Sequence, residues 1–431
     1  MKNRAYPWTV VERTLPNGLR VIASPDNNSP IVAVNLWYRA GSRNEPLGGN
    51  GLAHLVEHLM FEGSENVDRG QHKDLLNSIG AANVNASTSM DRTKYHQTLP
   101  ATHLRLALWL EADRMGSLKV TPEGVSSQAT VISHERRQVV ESAPHGHWTE
   151  LALASTFPAG HPYGHSAVGS PADLTVADKE KVQEFWRQHY VPNNAVLTVV
   201  GNVSAREVFV YADTYFGNIA AGAGGITQVP HEYWERAGRK VITATSRRAS
   251  TDRVYTIHRT PPAYTKEHDA LTVLAVVLGR GRGSLFYREL MVQKQLAIRE
   301  ERSVFSWDLA YGSSIFTTGT TVFPGIEAER LLFAQEAIMD TFTHASVSDV
   351  DLSRAKSLLA ASWFRSVTPF GSRANALSRF AIQSPDPDLI HSHLARLEQV
   401  TRDDICRVAN TYLRPENRLV LISTRDPGVD R

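Results

Sequence analysis

The chain has little of what disulfide-rich or membrane-embedded proteins depend on. Cys406 is the single cysteine in 431 residues, so a disulfide within the chain is excluded. No apolar run approaches the roughly 18 residues that identify a membrane-spanning helix, and residues 1–8 lack the apolar stretch of a secretory signal. We therefore expect a soluble protein without a membrane span, in the cytoplasm or the periplasm.

An excess of charge of one sign is also lacking. The formal net charge is +2 at pH 7, and the basic residues form no block interleaved with aromatic ones. A nucleic-acid or anionic-membrane surface normally carries such a block, so neither partner is expected. The chain is 42% hydrophobic, and at this length it can form two domains, each with its own core.

What is present includes an internal repeat. The stretch 182–200 is matched by the stretch 405–423, and aligning Pro192 with Pro415 offsets the two copies by 223 residues. Each copy has the pattern of a helix, a proline-containing turn and a buried strand. A repeat of this length predicts two homologous halves.

A glycine-rich stretch separates the two halves. Residues 220–225 read Ala-Ala-Gly-Ala-Gly-Gly. Because this stretch has no apolar periodicity, it is typical of a flexible linker. The sequence thus predicts an N-terminal domain at 1–220, a linker at 221–235 and a C-terminal domain at 236–431.

Both halves combine short apolar strands with long amphipathic helices. Strand patterns at 19–23, 31–38 and 254–258 occur together with helical patterns such as the one at 327–342. Adjacent strands joined by short turns favour antiparallel or mixed pairing, with helices packed on the sheet. We expect an α+β fold of two homologous domains, each with an antiparallel or mixed sheet packed with helices.

One segment carries residues suited to metal chemistry. Residues 51–60 place His54, Glu57 and His58 in an amphipathic helical pattern. Residues four apart on a helix lie on one face, about 5–6 Å apart at Cβ, so the two imidazoles can bind one metal ion. Glu57 lies near the same point, and a free carboxylate there can take the proton of a water that the metal activates. A catalytic zinc site usually has three protein ligands, so a third, acidic ligand is expected from elsewhere.

The order H-x-x-E-H is typical of the inverzincins, and further stretches extend the match. They are 15–21, 38–64, 85–95, 134–138, 160–163 and 285–290. Together they closely resemble the pitrilysin-type family of zinc peptidases, which includes mitochondrial processing peptidase and the insulin-degrading enzymes, and in particular its smaller bacterial branch. The resemblance implies two α+β domains that face each other as half of a clamshell, with a catalytically silent C-terminal half.

The resemblance also implies one Zn²⁺ per chain, with Glu57 as the general base. The zinc ligands it implies are His54, His58 and Glu135. Glu135 follows His58 by 77 residues, which is within the family's usual spacing. Glu141 is a competing candidate with the same chemistry, although its Ser-Ala-Pro surroundings favour a helix end. His134 is adjacent to Glu135, but neighbouring residues on a helix diverge by about 100° and do not easily face one metal together.

Asn85, Ala86 and Ser87 belong to the pattern of a short strand with small side chains. In the family, the matching strand forms an edge to which a substrate peptide adds by backbone hydrogen bonds. The resemblance therefore implies that these residues bind a peptide, and an ordinary internal strand is the alternative. Asp91 and Tyr95 fit two interpretations equally, either orienting the metal ligands or stabilising the sheet.

Four further histidines cluster in a stretch rich in glycine and proline. They are His145, His147, His161 and His165. A second metal site is one interpretation, but histidines that are exposed or that brace a loop are far commoner. We expect these four to be of that ordinary kind.

Two departures from the family bear on function. Many active relatives have an Arg and a Tyr seven residues apart that bind the substrate carbonyl, whereas Met291 and Ile298 stand in those positions here. Some relatives also have a carboxylate where this chain has Gln128. In bacterial relatives that divide the work between two chains, the zinc-binding subunit lacks the Arg-Tyr pair and its partner supplies it.

These departures lead to a specific functional expectation. We expect a zinc endopeptidase that acts on peptides or unfolded polypeptides as a heterodimer with a homologous non-zinc subunit, which completes the stabilisation of the transition state. A self-sufficient homodimeric peptidase is one alternative. A non-catalytic structural or assembly subunit is the other, although an intact set of site residues argues against it.

Overall fold

Two β-sheets organise the part of the chain that the computed structural model describes, which is residues 8–223, 238–344, 347–384, 386 and 388–426. The strands are β1 (Val11–Thr14), β2 (Arg20–Pro25), β3 (Ile31–Tyr38), β4 (Ala82–Thr88), β5 (Thr93–Pro100), β6 (Ala195–Gly201), β7 (Lys240–Ser246), β8 (Arg253–Thr260), β9 (Val304–Ser306), β10 (Ser314–Thr321) and β11 (Leu419–Arg425). Each sheet belongs to its own compact unit.

Helices cover the two sheets. They are α1 (Leu52–Leu59), α2 (Gln71–Ser78), α3 (Leu104–Gly116), α4 (Pro122–Arg136), α5 (Trp148–Thr156), α6 (Pro171–Thr175), α7 (Lys179–His189), α8 (Ala205–Phe216), α9 (Lys266–Gly279), α10 (Ala328–His344), α11 (Asp349–Val367), α12 (Phe370–Gln383), α13 (Leu389–Gln399) and α14 (Arg402–Tyr412). Among the described helices, none is both long and apolar enough to cross a membrane.

The first unit contains the described parts of 1–136, 165–228 and 364–392. Its strand order is β1-β2-β6-β3-β5-β4, in which β2 and β6 are parallel and the other neighbours are antiparallel. One face of the sheet forms a core with α1, α3, α4, α7 and α8, and Tyr95 of β5 points into it. Side chains alternate along a strand, so the neighbouring Lys94 points to the other face, where its Nζ donates to Asn375 Oδ1 of α12 (2.9 Å).

The second unit contains the described parts of 137–164, 229–363 and 393–431. Its strand order is β7-β11-β8-β10-β9, in which β7 and β11 are parallel and the other neighbours are antiparallel. Buried residues of α9, α10 and α14 form its core with this sheet, and α5 packs against β8 and β11. Both units thus combine a mixed sheet with helices, so the predicted α+β fold class is confirmed.

The repeat found in the sequence corresponds to a shared structural motif. In the first copy, α7 leads through the turn Pro192–Asn194 into β6, and in the second copy α14 leads through Pro415–Asn417 into β11. Each of these two strands pairs in parallel with a strand near the beginning of its own half, β2 or β7. The helix, turn and strand expected in each copy are therefore all present.

The units differ from the continuous domains expected at 1–220 and 236–431. Residues 137–164 belong to the second unit, and residues 364–392 belong to the first. Most of the expected linker at 221–235 lies outside the described residues. The sheet on which a distant helix packs depends on tertiary contacts that local composition does not encode.

Arg373 of α12 is an anchor within the first unit. Arg373 is 1% exposed, and its guanidinium donates to Asp26 (2.8 Å) and to two backbone carbonyls. We expect Arg373→Ala to lower the free energy of unfolding by about 3–5 kcal/mol, because it leaves a buried carboxylate without its partner. Urea unfolding followed by circular dichroism measures this loss. The control is Arg13→Ala, which removes an exposed ion pair with Asp213 and should cost less than about 1 kcal/mol; equal losses would refute the anchoring role.

Candidate metal centre and peptide-binding edge

α1 presents the two imidazoles of the motif side by side. The helix packs against α4, α7 and β4, which leaves His54 and His58 half-buried with their ring centroids 4.8 Å apart and their planes at 84°. Burial, and then the charge of His58, lower the pKa of His54 to about 4. His54 is therefore neutral at neutral pH, which is the form that binds a metal.

Glu135 lies beside both imidazoles. It belongs to the last turn of α4, and its Oε2 is 3.7 Å from His54 Nε2 and 3.6 Å from His58 Nε2. The three donor atoms all lie within 4.8 Å of one another. Two ligand atoms of a tetrahedral zinc ion, each about 2.1 Å from it, lie about 3.4 Å apart. Two imidazole nitrogens and one carboxylate oxygen at these separations therefore fit zinc.

The competing ligand candidates lie outside this cluster. Among the described residues, the group that can hold a metal includes neither Glu141 nor His134. Glu141 is the last residue of a short π-helical segment, as its sequence neighbours predict. The backbone of Glu135 is instead held firmly in place, because Ile132, about one turn earlier on α4, is fully buried in the core of the first unit.

Gln128 orients one of the two imidazoles. Its Oε1 lies 3.0 Å from His58 Nδ1. An amide oxygen can only accept, so the proton is on Nδ1 and the lone pair of Nε2 is left for a metal. Gln128 and Glu135 are seven residues apart on α4, about two turns, and so share one face of the helix. In the sequence Gln128 is notable only as a missing carboxylate, and this second role was not foreseen.

Glu57 is held next to the imidazoles by the strand β4. Glu57 is 8% exposed, and the Thr88 hydroxyl donates to its Oε2 (2.6 Å). Burial raises the pKa of the Glu57 carboxyl, while the hydrogen bond from Thr88 and the charge of His58 oppose that rise. Thr88 was not identified from the sequence. The signal for it is the alternation of β4, which places Thr88 and Ala86 on one face of the strand.

The beginning of α1 is fixed by the buried carboxylate of Glu45. Its two oxygens accept from the N–H groups of Gly51 (3.0 Å) and Ala53 (2.8 Å), and amides at a helix start have no partner within the helix. His165 Nε2 donates to the same carboxylate (3.0 Å). Gly51 has a φ of 111°, and a Cβ on it would lie 2.9 Å from Leu174 Cδ2. Glycine is therefore required where the histidine-bearing helix begins.

The other histidines of the Gly/Pro-rich stretch have separate contacts. His145 Nδ1 lies 2.9 Å from Ser423 Oγ, His161 stacks on Phe157 with centroids 4.6 Å apart, and His147 is exposed. None of them belongs to the metal-type cluster found in the described residues. These contacts favour the expected role of bracing loops.

β4 is an edge strand, since it ends the strand order of the first sheet. Ser89 N–H donates to the Arg92 carbonyl (2.8 Å). Along an antiparallel strand, the N–H and C=O groups of successive residues point alternately at the paired strand and away from it. The backbone groups of Ser87 and Asn85 therefore point at β5, and those of Ala86 point out from the edge of the sheet. There the Ala86 N–H donates to Asn85 Oδ1 (2.9 Å). Among the strands that the structure describes, β4 lies at the edge of its sheet, which favours the peptide-binding interpretation over an ordinary internal strand.

Asp91 and Tyr95 have contacts of a structural kind. Asp91 Oδ1 is 3.4 Å from Arg43 Nε, and both side chains are buried. The Tyr95 ring meets Tyr38 edge to face at 6.0 Å and lies 4.1 Å from the Arg114 guanidinium. These contacts brace the sheet and its covering helices, which favours the structural of the two interpretations.

The described part of the second unit has no counterpart of the cluster. In α9, His268 Nε2 lies 2.8 Å from the Trp307 carbonyl.

Met291 is 3% exposed within the core of the second unit, and Ile298 is 37% exposed. The two positions where the resemblance would place an Arg and a Tyr thus carry apolar side chains, and Met291 is fully packed.

Comparison with known proteins decides the family. Residues 20–169 match the model described as Insulinase (Peptidase family M16), and residues 177–359 match the model described as Peptidase M16 inactive domain. The chain belongs to this peptidase family. The resemblance to the pitrilysin-type zinc peptidases is thereby confirmed.

Similar proteins match nearly the whole chain. The zinc protease PqqE of Helicobacter pylori is 26% identical over 404 residues, which are 93% of this chain and 89% of that protein. A probable mitochondrial-processing peptidase subunit beta of Arabidopsis thaliana is 25% identical over 417 residues, which are 93% of this chain and 75% of that protein. A crystal structure of a protease from Helicobacter pylori has a TM-score of 0.90 at 25% identity and covers 97% of this chain and 100% of that chain.

The contact between Gln128 and His58 predicts an effect on zinc affinity. Gln128→Leu removes the acceptor that fixes the imidazole, and loss of such a partner typically weakens metal binding about 10–100-fold. Competition with a chromophoric zinc chelator measures the affinity. Gln128→Glu keeps an acceptor at the same place and should bind zinc nearly as well as the wild type. Equal affinity of the wild type and Gln128→Leu would show that the contact has no such role.

Proposed function

We propose that the protein is a zinc-dependent endopeptidase that hydrolyses peptides or unfolded polypeptides. The convergence of donor atoms from His54, His58 and Glu135 beside the buried carboxylate of Glu57 supports this most directly. Two neutral nitrogens and one carboxylate are a ligand set of catalytic zinc sites, in which the fourth position takes water or substrate. A similar protein that is named a zinc protease supports the same chemistry.

In the proposed reaction Glu57 is the general base. A bound zinc ion supplies Lewis acidity and lowers the pKa of water. Thr88 donates to Glu57 Oε2, which leaves Oε1 to take the proton of the attacking water and then pass it to the leaving amine. Because Thr88 already fixes the carboxylate, little reorganisation is needed when the proton moves.

The substrate is proposed to add as a strand to the edge of β4, along Asn85, Ala86 and Ser87. A bound peptide would replace the hydrogen bond that the Ala86 N–H makes with the Asn85 side chain. Arg92 donates to both the carbonyl and the hydroxyl of Ser87 (2.6 and 2.8 Å), which keeps this part of the strand in place. Binding through main-chain groups tolerates many sequences, so side pockets set the preferences.

The active form is proposed to be a heterodimer with a homologous non-zinc subunit. Met291 and Ile298 have no polar group that could bind a substrate carbonyl or a developing oxyanion. Stabilisation of that oxyanion is usually the largest single contribution to acyl-transfer catalysis. A partner that carries Arg and Tyr at the equivalent positions would supply it, and a homodimer is the alternative.

Replacing the proposed base separates metal binding from turnover. We expect Glu57→Gln to keep its zinc, because Glu57 is not one of the three ligands. Assayed in a mixture with the homologous partner, it should hydrolyse a quenched fluorescent peptide at least about 10²–10⁴-fold more slowly than the wild type in the same mixture. Zinc content is measured by atomic emission on the same sample. The matched control is Glu65→Gln at an exposed position, which should retain activity. Hydrolysis by Glu57→Gln at the wild-type rate would exclude Glu57 as the base.

Mixing experiments examine the proposed partner. We expect the zinc-loaded chain alone to hydrolyse peptides poorly, and the addition of a homologous chain that carries the Arg-Tyr pair to raise the rate at least about 100-fold, since loss of one oxyanion donor typically costs 10²–10³. A chelator should abolish the activity. Full activity from the chain alone would keep the zinc site and contradict the heterodimer. Zinc binding without activity in any mixture would favour the non-catalytic alternative.

A further inference from the structure

A cavity of about 630 Å³ lies within the first unit, between its sheet and α12. Its lining includes Asn83 of β4, Lys94 and His96 of β5, and Asn375 and Arg379 of α12. The volume is in the range of about 300–1,000 Å³ typical of ligand sites. None of the described lining residues is acidic, so the charge of the cavity comes from its cationic side chains.

The cationic groups around this cavity repel one another. Burial, and then the charge of Arg92, lower the pKa of Lys94 to about 8, although Glu57 acts in the opposite sense. Burial, and then Lys94 and Arg92, lower the pKa of His96 to about 4. Lys94 Nζ has a neutral partner, Asn375 Oδ1 (2.9 Å). An anionic group in the cavity would therefore relieve the repulsion and replace part of the lost hydration.

The cavity lies beneath the proposed peptide-binding edge. Lys94 pairs with Ser87 and His96 with Asn85, so these four side chains share the face of the sheet that is turned towards α12. Asn83 lies at an irregularity of β4, has a φ of 53°, and also lines the cavity. The face with Thr88 and Glu57 is the opposite one.

We propose that this cavity is a subsite for an acidic side chain of the substrate, an aspartate or a glutamate close to the scissile bond. Side chains of a peptide added to β4 alternate between the two faces of the sheet. Those on one face meet the metal-binding residues, and those on the other meet Lys94 and Arg379. The inference rests on the proposed peptidase function and specifies its substrate class.

Binding can be measured without turnover. The zinc-loaded, full-length Glu57→Gln variant is titrated with terminally blocked fluorescent peptides that each contain one glutamate, at a different position in each peptide. Every glutamate peptide is compared with its twin, a peptide that has glutamine at the same position. We expect the glutamate peptide to bind about tenfold more tightly than its twin at one position. When Lys94→Gln or Arg379→Gln is combined with Glu57→Gln, the affinities of the glutamate peptide and its glutamine twin should agree within about twofold.

A matched charge removal serves as the control. Lys181→Gln in α7, where Lys181 is exposed and paired with Asp178, should leave the preference for glutamate intact. Added salt should weaken the preference, since it screens charge interactions. Equal binding of the twins, a preference that survives both cavity substitutions, or no binding of either peptide would overturn the inference.

Hydrolysis of the same peptides separates this inference from the proposed function. The wild-type chain is assayed alone and with its homologous partner. Cleavage without any preference between the twins would overturn the subsite and leave the peptidase intact. A second outcome is tighter binding of the glutamate peptide that disappears in the cavity variants, together with no cleavage in any mixture. That outcome would support the subsite and contradict the peptidase function.

Discussion

The position of α1 is the constraint on which the rest of the site depends. Two imidazoles four residues apart on a helix can bind one metal together with Glu135 only if the helix is placed so that both of them face that carboxylate. That register is set at its first turn, where Gly51 allows a left-handed backbone and Glu45 binds two helix amides from a fully buried position. The chemistry at His54 and His58 thus begins with a backbone requirement several residues earlier.

The sheet of the first unit separates two environments of opposite character. On one face, Glu57 and Glu135 provide carboxylates close to the imidazoles of His54 and His58. On the other, Lys94 and Arg379 line a cavity without a described acidic residue. Because β4 is an edge strand, a peptide that adds to it would contact both environments through alternate side chains. Catalysis and selectivity would then come from the two faces of one strand.

The sequence predicts the parts of this site that local periodicity determines. The spacing within 51–60 and the strand patterns of both halves follow from the 3.6- and 2-residue periods of helices and strands, while Glu135 required the resemblance to a known family. The contacts of Glu57 with Thr88 and of His58 with Gln128 span 31 and 70 residues. Contacts of that kind depend on how elements pack, which a single sequence does not reveal.

The same limit explains the domain boundaries. Residues 137–164 and 364–392 belong to the unit of the other half because of how they pack, which only the structure shows. Arg373 shows the reason, because it ties α12 to Asp26, 347 residues away in sequence. Compact units therefore do not coincide with the repeated halves of the chain.

The most direct measurement is an anomalous-difference map from a crystal of the zinc-loaded chain, collected on both sides of the zinc absorption edge. We expect one peak per chain, at about 2.0–2.2 Å from His54 Nε2, His58 Nε2 and a Glu135 oxygen, with the Glu57 carboxylate near but not coordinating. A peak at any other residues, or a zinc ion bound directly by Glu57 in place of Glu135, would contradict it.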